Sequence, residues 1–198
     1  MKILFLDTET TGLDIIQHEI IQLGYILIEN DVFSDKIISQ KEFNIRPLHL
    51  ETASMEALKI NGFSAHAWKD SMPFIHYAEH IKNMIEYCDL MVGQNLIFDL
   101  RFIKQAFSNF NLEVPKFPPY VDTKNMAEFL LEQKLLESTS MDKMCKHYNI
   151  TFSGRAHNAL ADCERTMKLW NRLSEVNKNP NIFTFVNPYD PYANKTKR

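Results

Sequence analysis

Cysteine is scarce: Cys88, Cys145 and Cys163 lie far apart in 198 residues and form no CxxC pair. That excludes a disulfide framework and fits reduced thiols in a cytoplasmic compartment. No apolar run is long enough to span a bilayer, and no signal-peptide pattern opens the chain. A soluble, unexported protein with no membrane partner is therefore expected. Nor is there a surplus of basic charge. The 22 Lys and Arg against 25 Asp and Glu leave a net charge of −3, too little positive charge to coat duplex DNA by electrostatics alone. Internal repeats and low-complexity segments are also missing. What the chain does have is 45% hydrophobic residues, enough for one domain with a full core. Regular patterning runs over residues 1–174 and gives way to a tail at 175–198.

The organising stretch is Ile3 to Leu13 (ILFLDTETTGL). Its apolar start reads as a buried strand, and alternation puts Ile3, Phe5, Asp7 and Glu9 on one face. A row that starts in hydrocarbon thus ends in two carboxylates. Burying them side by side is costly, and divalent cations with oxygen ligands are the simplest relief. The alternative is a strand end that surfaces, with ordinary exposed acids.

Beyond the Gly12 turn, Glu19–Glu29 and Lys36–Arg46 read as strands of an antiparallel meander. A short helix is expected over Glu51–Ile60, stopped at Asn61-Gly62. Ser71 and Pro73 start another that runs to about Tyr87. It carries His76-Tyr77-Ala78-Glu79-His80, which matches the H-x-x-E-H pattern of one class of zinc peptidase. Those histidines fall on the polar side without a nearby third ligand, so a solvated helix face is the preferred reading. Asp89–Gln94 reads as a fourth strand, and Asn95 as the side-chain cap of a helix over Leu96–Phe107. In that helix Phe102, Ile103 and Ala106 lie three, four and seven places after Asp99, which sets Asp99 on the buried stripe. Asp122 is the expected cap of a helix over Thr123–Lys134. Shorter and longer helices follow at Ser140–Tyr148 and Asn158–Leu173. The last directs Ala159, Asp162, Thr166, Leu169 and Trp170 inward. His157, five places before Asp162, can share a site with it only from the helix start. The tail scatters Phe183, Phe185, Tyr189 and Tyr192 among basic residues. That mixture can hold single strands, although packing or disorder is the preferred reading.

Asp7, Glu9, Asp99 and Asp162 each occupy a position where periodicity calls for an apolar side chain. No Lys or Arg is expected on the same faces, so metal is the economical explanation. Two divalent ions would match four carboxylates, and neutralising them would bring the rest of the chain close to zero net charge. Two metals suit hydrolysis of a phosphodiester, with His157 the candidate general base.

Phe5-Leu6-Asp7-Thr8-Glu9-Thr10-Thr11-Gly12-Leu13, Val92-Gly93-Gln94-Asn95-Leu96-Ile97-Phe98-Asp99-Leu100-Arg101-Phe102-Ile103 and His157-Asn158-Ala159-Leu160-Ala161-Asp162 resemble, in order and spacing, the three motifs of the DnaQ-like (DEDDh) 3′-5′ exonucleases. The resemblance implies an α/β, ribonuclease H-like fold with a five-stranded mixed sheet flanked by helices. It implies removal of nucleoside 5′-monophosphates from the 3′ end of a single strand, DNA favoured over RNA, in proofreading or repair with a DNA polymerase as partner. Carried over by position, Asp7, Glu9, Asp99 and Asp162 hold two Mg2+ or Mn2+ ions, and His157 deprotonates the attacking water. Thr10, Thr11, Gly12, Leu13, Asn95 and Phe98 contact or flank the terminal nucleotide. Gln94 stands where many members carry His, and is expected to tune substrate contact. Competing readings are an exoribonuclease, a non-catalytic binding module of a polymerase and, more distantly, the zinc peptidase.

Overall fold

In a computed structural model describing residues 1–30 and 35–176, alternation along β1 (Lys2–Thr10) separates two cores. Leu4 and Leu6 face one, Ile3 and Phe5 the other. β1 is the central strand of five. β2 (Ile20–Asn30) and β3 (Asp35–Asn44) extend the sheet antiparallel on one side. β4 (Leu90–Gly93) and β5 (Tyr120–Asp122) extend it parallel on the other, giving the order β3-β2-β1-β4-β5. Three of these strands match the expected meander, with the third ending two residues early, at Asn44. β5 lies where a capping residue alone was expected, because three residues are too few to show a period.

The first core is closed by α2 (Ile75–Tyr87) and α3 (Leu96–Asn109), which cover the Leu4 and Leu6 side. The second is closed by α4 (Thr123–Glu132), α5 (Met141–His147) and α6 (Ala159–Val176). Instead of one helix over Glu51–Ile60 there is a 3-10 turn at Leu50–Thr52 and then α1 (Met55–Asn61). Ser54 is extended and its hydroxyl accepts from Ala57 N–H, so the helix can start only after it. Gly62 ends α1 at φ 70°, the left-handed stop expected there. All three cysteines are buried and free. Among the described residues no helix is long and apolar enough to cross a membrane. The tail aromatics and basic residues lie outside the described residues.

Two joints in this frame aim the acids. The first is the start of α6. Its orphan N–H groups are met by the sheet: Ala159 N–H donates to Gln22 Oε1 at 2.8 Å and Leu160 N–H to Glu42 Oε2 at 3.3 Å. Ala161 N–H donates to the Asn158 side-chain oxygen at 3.0 Å, and the Asn158 amide reaches Glu42. Contact this close needs a glycine opposite. A Cβ on Gly24 would lie 2.4 Å from the Ala159 and Leu160 backbone, and Gly24 is the register partner of Asp7. The glycine therefore lets the helix that carries Asp162 rest directly beside the strand that carries Asp7.

The second joint is Asp122. It caps α4, as expected, by accepting from Lys124 N–H at 2.9 Å. It also accepts from Asn95 N–H at 2.9 Å and Leu96 N–H at 3.1 Å. The expected Asn95 cap is thus corrected. Asn95 sits in the left-handed region at φ 60° and its side chain makes no capping bond, because a carboxylate from β5 already occupies the helix start.

Both joints can be tested by urea denaturation. Gly24→Ala is expected to cost about 1–3 kcal/mol by overpacking and to lower activity by moving Asp162. Asp122→Ala, which uncaps two helices at once, is expected to cost about 2 kcal/mol or more.

Candidate active site

Strands β1 and β4 pair only from Ile3↔Leu90 to Phe5↔Val92 and then part. On the other side of β1 the register with β2 shifts between Glu9 and Thr10, where Ile21 is the extra residue on β2. Clefts at the carboxyl ends of diverging strands are the usual binding sites of α/β sheets. Here the gap leaves Thr8 N–H without a strand partner, and Asp99 of α3 fills the vacancy. Its Oδ1 accepts from Thr8 N–H at 2.8 Å and from the Thr8 hydroxyl at 2.6 Å. Asp162 arrives on the other face with α6. Both are almost fully buried, while Asp7 and Glu9 are partly buried. The four acids expected to converge therefore do so.

Their electrostatics show the strain. Burial, followed by the carboxylates of Asp99, Asp162 and Glu9, pushes the Asp7 carboxyl well above the ordinary range. Burial, with Asp162 and Asp99, raises Glu9 to about 8. Burial raises Asp99 to about 7 despite its bonds to Thr8. Asp7 and Glu9 receive no side-chain hydrogen bond from the described residues. A set of oxygen donors carrying more negative charge than the protein neutralises fits hard divalent cations.

The expectation that no Lys or Arg shares these faces is corrected by Arg165. It is 3% exposed and donates to Asp162 Oδ1 at 2.8 Å. A second nitrogen reaches Asp142 of α5, and the guanidinium lies over the Phe152 ring. Burial works against this charge, but the bonds to Asp162 and Asp142 outweigh it and hold Arg165 protonated above its usual range. The spacing carried the signal: Arg165 lies three places after Asp162, on the stripe continued by Thr166 and Leu169.

His157 stands exposed at the mouth, in the left-handed region at φ 60°. Its backbone N–H donates to Asp162 Oδ2 at 3.1 Å. Ligand atoms of His157, Glu9 and Asp162 all lie within 4.8 Å of one another. The preceding loop is tied down by Arg155, whose guanidinium donates to Asn61 O, while the Asn61 amide donates to Thr10 O at 3.0 Å.

The remaining expected residues divide. Leu13 is 82% exposed and shares a cavity of about 370 Å³ with Asn95, Phe98 and Arg101. The Thr10 hydroxyl donates to Gly12 O at 2.6 Å, and the Thr11 hydroxyl accepts from Glu19 N–H at 2.9 Å. Both threonines are buried, so their hydroxyls hold the turn that carries Leu13. A Cβ on Gly12 would meet the His18 ring at 2.4 Å, so a larger residue there would have to displace that ring. Gln94, expected to tune substrate contact, has both ends of its amide engaged by the protein. It accepts from the Thr123 hydroxyl at 2.6 Å and donates to Thr139 O at 2.8 Å, bracing the loop after α4. His80 Nε2 lies 3.0 Å from the Tyr25 hydroxyl. Neither His76 nor His80 joins a metal-ligating group among the described residues; the His80 ring packs edge-on against Phe43.

Carboxyls raised in the native state bind more protons than they do unfolded. Raising the pH from about 4.5 to about 8 should therefore destabilise the metal-free protein. The rise in Tm on adding Mn2+ should accordingly be larger at pH 8 than at pH 5.5. Asp7→Asn should raise the metal-free Tm at pH 8 by about 2–4 °C and abolish activity, a contrast that calorimetry and a nuclease assay would check together.

The RNase_T exonuclease family model matches residues 4–170. Ribonuclease T of Haemophilus ducreyi is 27% identical, over 92% of this chain and 89% of its own length. The DNA polymerase III subunit epsilon of Buchnera aphidicola is 31% identical, over 85% and 72%. Among solved structures, E. coli Exonuclease I in complex with a dT13 oligonucleotide superimposes with a TM-score of 0.77 at 17% identity. The similarity covers 89% of this chain and 42% of that one, so the chain spans under half of that larger protein. The fold is the ribonuclease H-like one of these nucleases. Divalent metal ions are the cofactors of the family. With four acids and a histidine gathered at the end of β1 and a family match over nearly all of its described length, the chain belongs to the DnaQ-like (DEDDh) 3′-5′ exonucleases.

Proposed function

We propose that the protein removes nucleoside 5′-monophosphates one at a time from the 3′ end of single-stranded DNA, in proofreading or repair. The observation that carries this reading is the meeting of Asp7, Glu9, Asp99 and Asp162 with His157 at their rim. Asp7, Glu9 and Asp162 would hold one Mg2+ or Mn2+, and Asp7 with Asp99 a second. When bound, the ions supply charge neutralisation at the scissile phosphate and a lowered pKa for the attacking water.

The chain's own residues do the rest. His157, exposed at the rim, takes the proton from that water. Its left-handed backbone is secured by its N–H bond to Asp162 and by the Arg155 tie to α1. Arg165 fixes the Asp162 carboxylate through Oδ1. Leu13 and Phe98 offer apolar surface to the terminal nucleoside, held in place by the Thr10–Gly12 turn and by the Asp122 cap of α3. The intact acid set with its histidine favours catalysis over a purely binding role.

The second reading is an exoribonuclease, supported by the relative named Ribonuclease T. A polymerase is the proposed partner, on the strength of the relative named a DNA polymerase III subunit. Discrimination between the sugars rests on contacts at the 2′-hydroxyl, which the catalytic acids do not make. Parallel digestion of matched DNA and RNA oligomers with Mg2+ or Mn2+ decides between them. DNA should shorten from its 3′ end, and Asp7→Ala should stop the reaction. Absence of cleavage of either polymer would overturn the proposal. His157→Ala is expected to lose about 10²–10⁴-fold in rate while still binding Mn2+ in calorimetry, because a base is not a ligand.

A further inference from the structure

The β1–β2 loop and α3, which wall the cavity at Leu13 and Phe98, also wall a second and larger cavity of about 540 Å³. On the loop side Leu13, Asp14 and Ile15 line the first cavity, and the next residues, Ile16 to Ile20, line the second. On the helix side Phe98 and Arg101 give way to Phe102, Gln105 and Asn109. The join is marked by the Phe98 and Phe102 rings, 4.8 Å apart. Arg101, Gln105 and Asn109 recur every four residues and so form one stripe along α3. Within it, the Gln105 amide donates to Asn109 at 2.7 Å. The two cavities thus succeed one another along the same two elements, the larger forming a trough beside the C-terminal half of α3.

Its chemistry is unlike that of the catalytic end. The volume lies within the range of sites for small organic groups, roughly 300–1,000 Å³. The bordering acid, Glu19, is already engaged: it accepts from Leu48 and His49 N–H at 2.8 Å each and lies 3.4 Å from the His49 ring. Arg46 on the same wall is exposed and has no ion pair among the described residues. The trough therefore offers apolar faces, amides and an unengaged guanidinium, the combination that holds bases and phosphates of a single strand.

We propose that this trough is a subsite for the nucleotides that lie upstream of the last two at the 3′ end of the strand being digested. Their bases lie between the Ile16 loop and α3, and their phosphates meet Arg46 and the Gln105–Asn109 stripe. The inference rests on the reading above that a single-stranded 3′ end is the substrate. It assigns the length dependence of binding to a surface separate from the catalytic acids.

The test compares Arg46→Glu, which reverses the exposed charge, and Asn109→Trp, which plugs the trough from the exposed side of α3. On an octanucleotide each should raise KM by about tenfold. On a dinucleotide of the same base, too short to reach the trough, KM should stay within about twofold and kcat should not move. Anisotropy of 5′-labelled dT8 and U8 in an Asp7→Ala background reads binding without cleavage and should show the same loss. Unchanged octanucleotide affinity in both variants, or an equal loss on both lengths, would overturn the subsite. Octanucleotide binding that depends on Arg46, in a protein that cuts neither DNA nor RNA, would keep the subsite and sink the nuclease reading instead.

Discussion

Repulsion among buried carboxylates is the constraint around which this protein is built. Asp7, Glu9 and Asp99 are all held above their ordinary pKa range, chiefly by burial and, for Asp7 and Glu9, by the neighbouring carboxylates of Asp99 and Asp162. A fold optimised for stability alone would not keep them there. The protein offsets part of the cost through the Arg165 ion pair and the Thr8 donors. The remainder is left for cations. The deficit fits the divalent cations proposed for the end of β1 and not a salt-bridged core.

Bringing acids together against their repulsion requires rigid supports, and each support answers to a specific group. Asp99 is placed by Asp122, which terminates β5 and anchors the first turn of α3. Asp162 is placed by Gln22, Glu42 and the missing side chain at Gly24, which seat α6 on the sheet. The Thr10, Thr11 and Gly12 turn presents Leu13 outward. None of these supporting groups is a metal ligand in the proposed site, yet loss of any would shift a proposed ligand or Leu13.

The acids themselves were legible because each broke a period: a carboxylate recurring where an apolar residue belongs is visible without coordinates. Long strands and helices were legible for the same reason. Arg165 was legible in principle, three places after Asp162 on the same stripe, but an expected neutral face obscured it. Asp122 as the cap of two helices was not legible. Only its local bond to Lys124 follows from spacing, while the bonds to Asn95 and Leu96 cross 27 and 26 residues. Nor was the bond from Gln94 to Thr139 legible, since it joins residues 45 places apart.

The sequence by itself determined the chemistry. Four misplaced acids, a histidine near the last of them and three ordered motifs depend only on local spacing, which a chain carries wherever it goes. Tertiary structure decided the aim. Whether β1 and β4 part after Phe5, whether α6 can rest on Gly24, and whether the trough along α3 stays open depend on contacts between segments far apart in sequence. Such contacts are set by the packing of whole faces, and no local period encodes them.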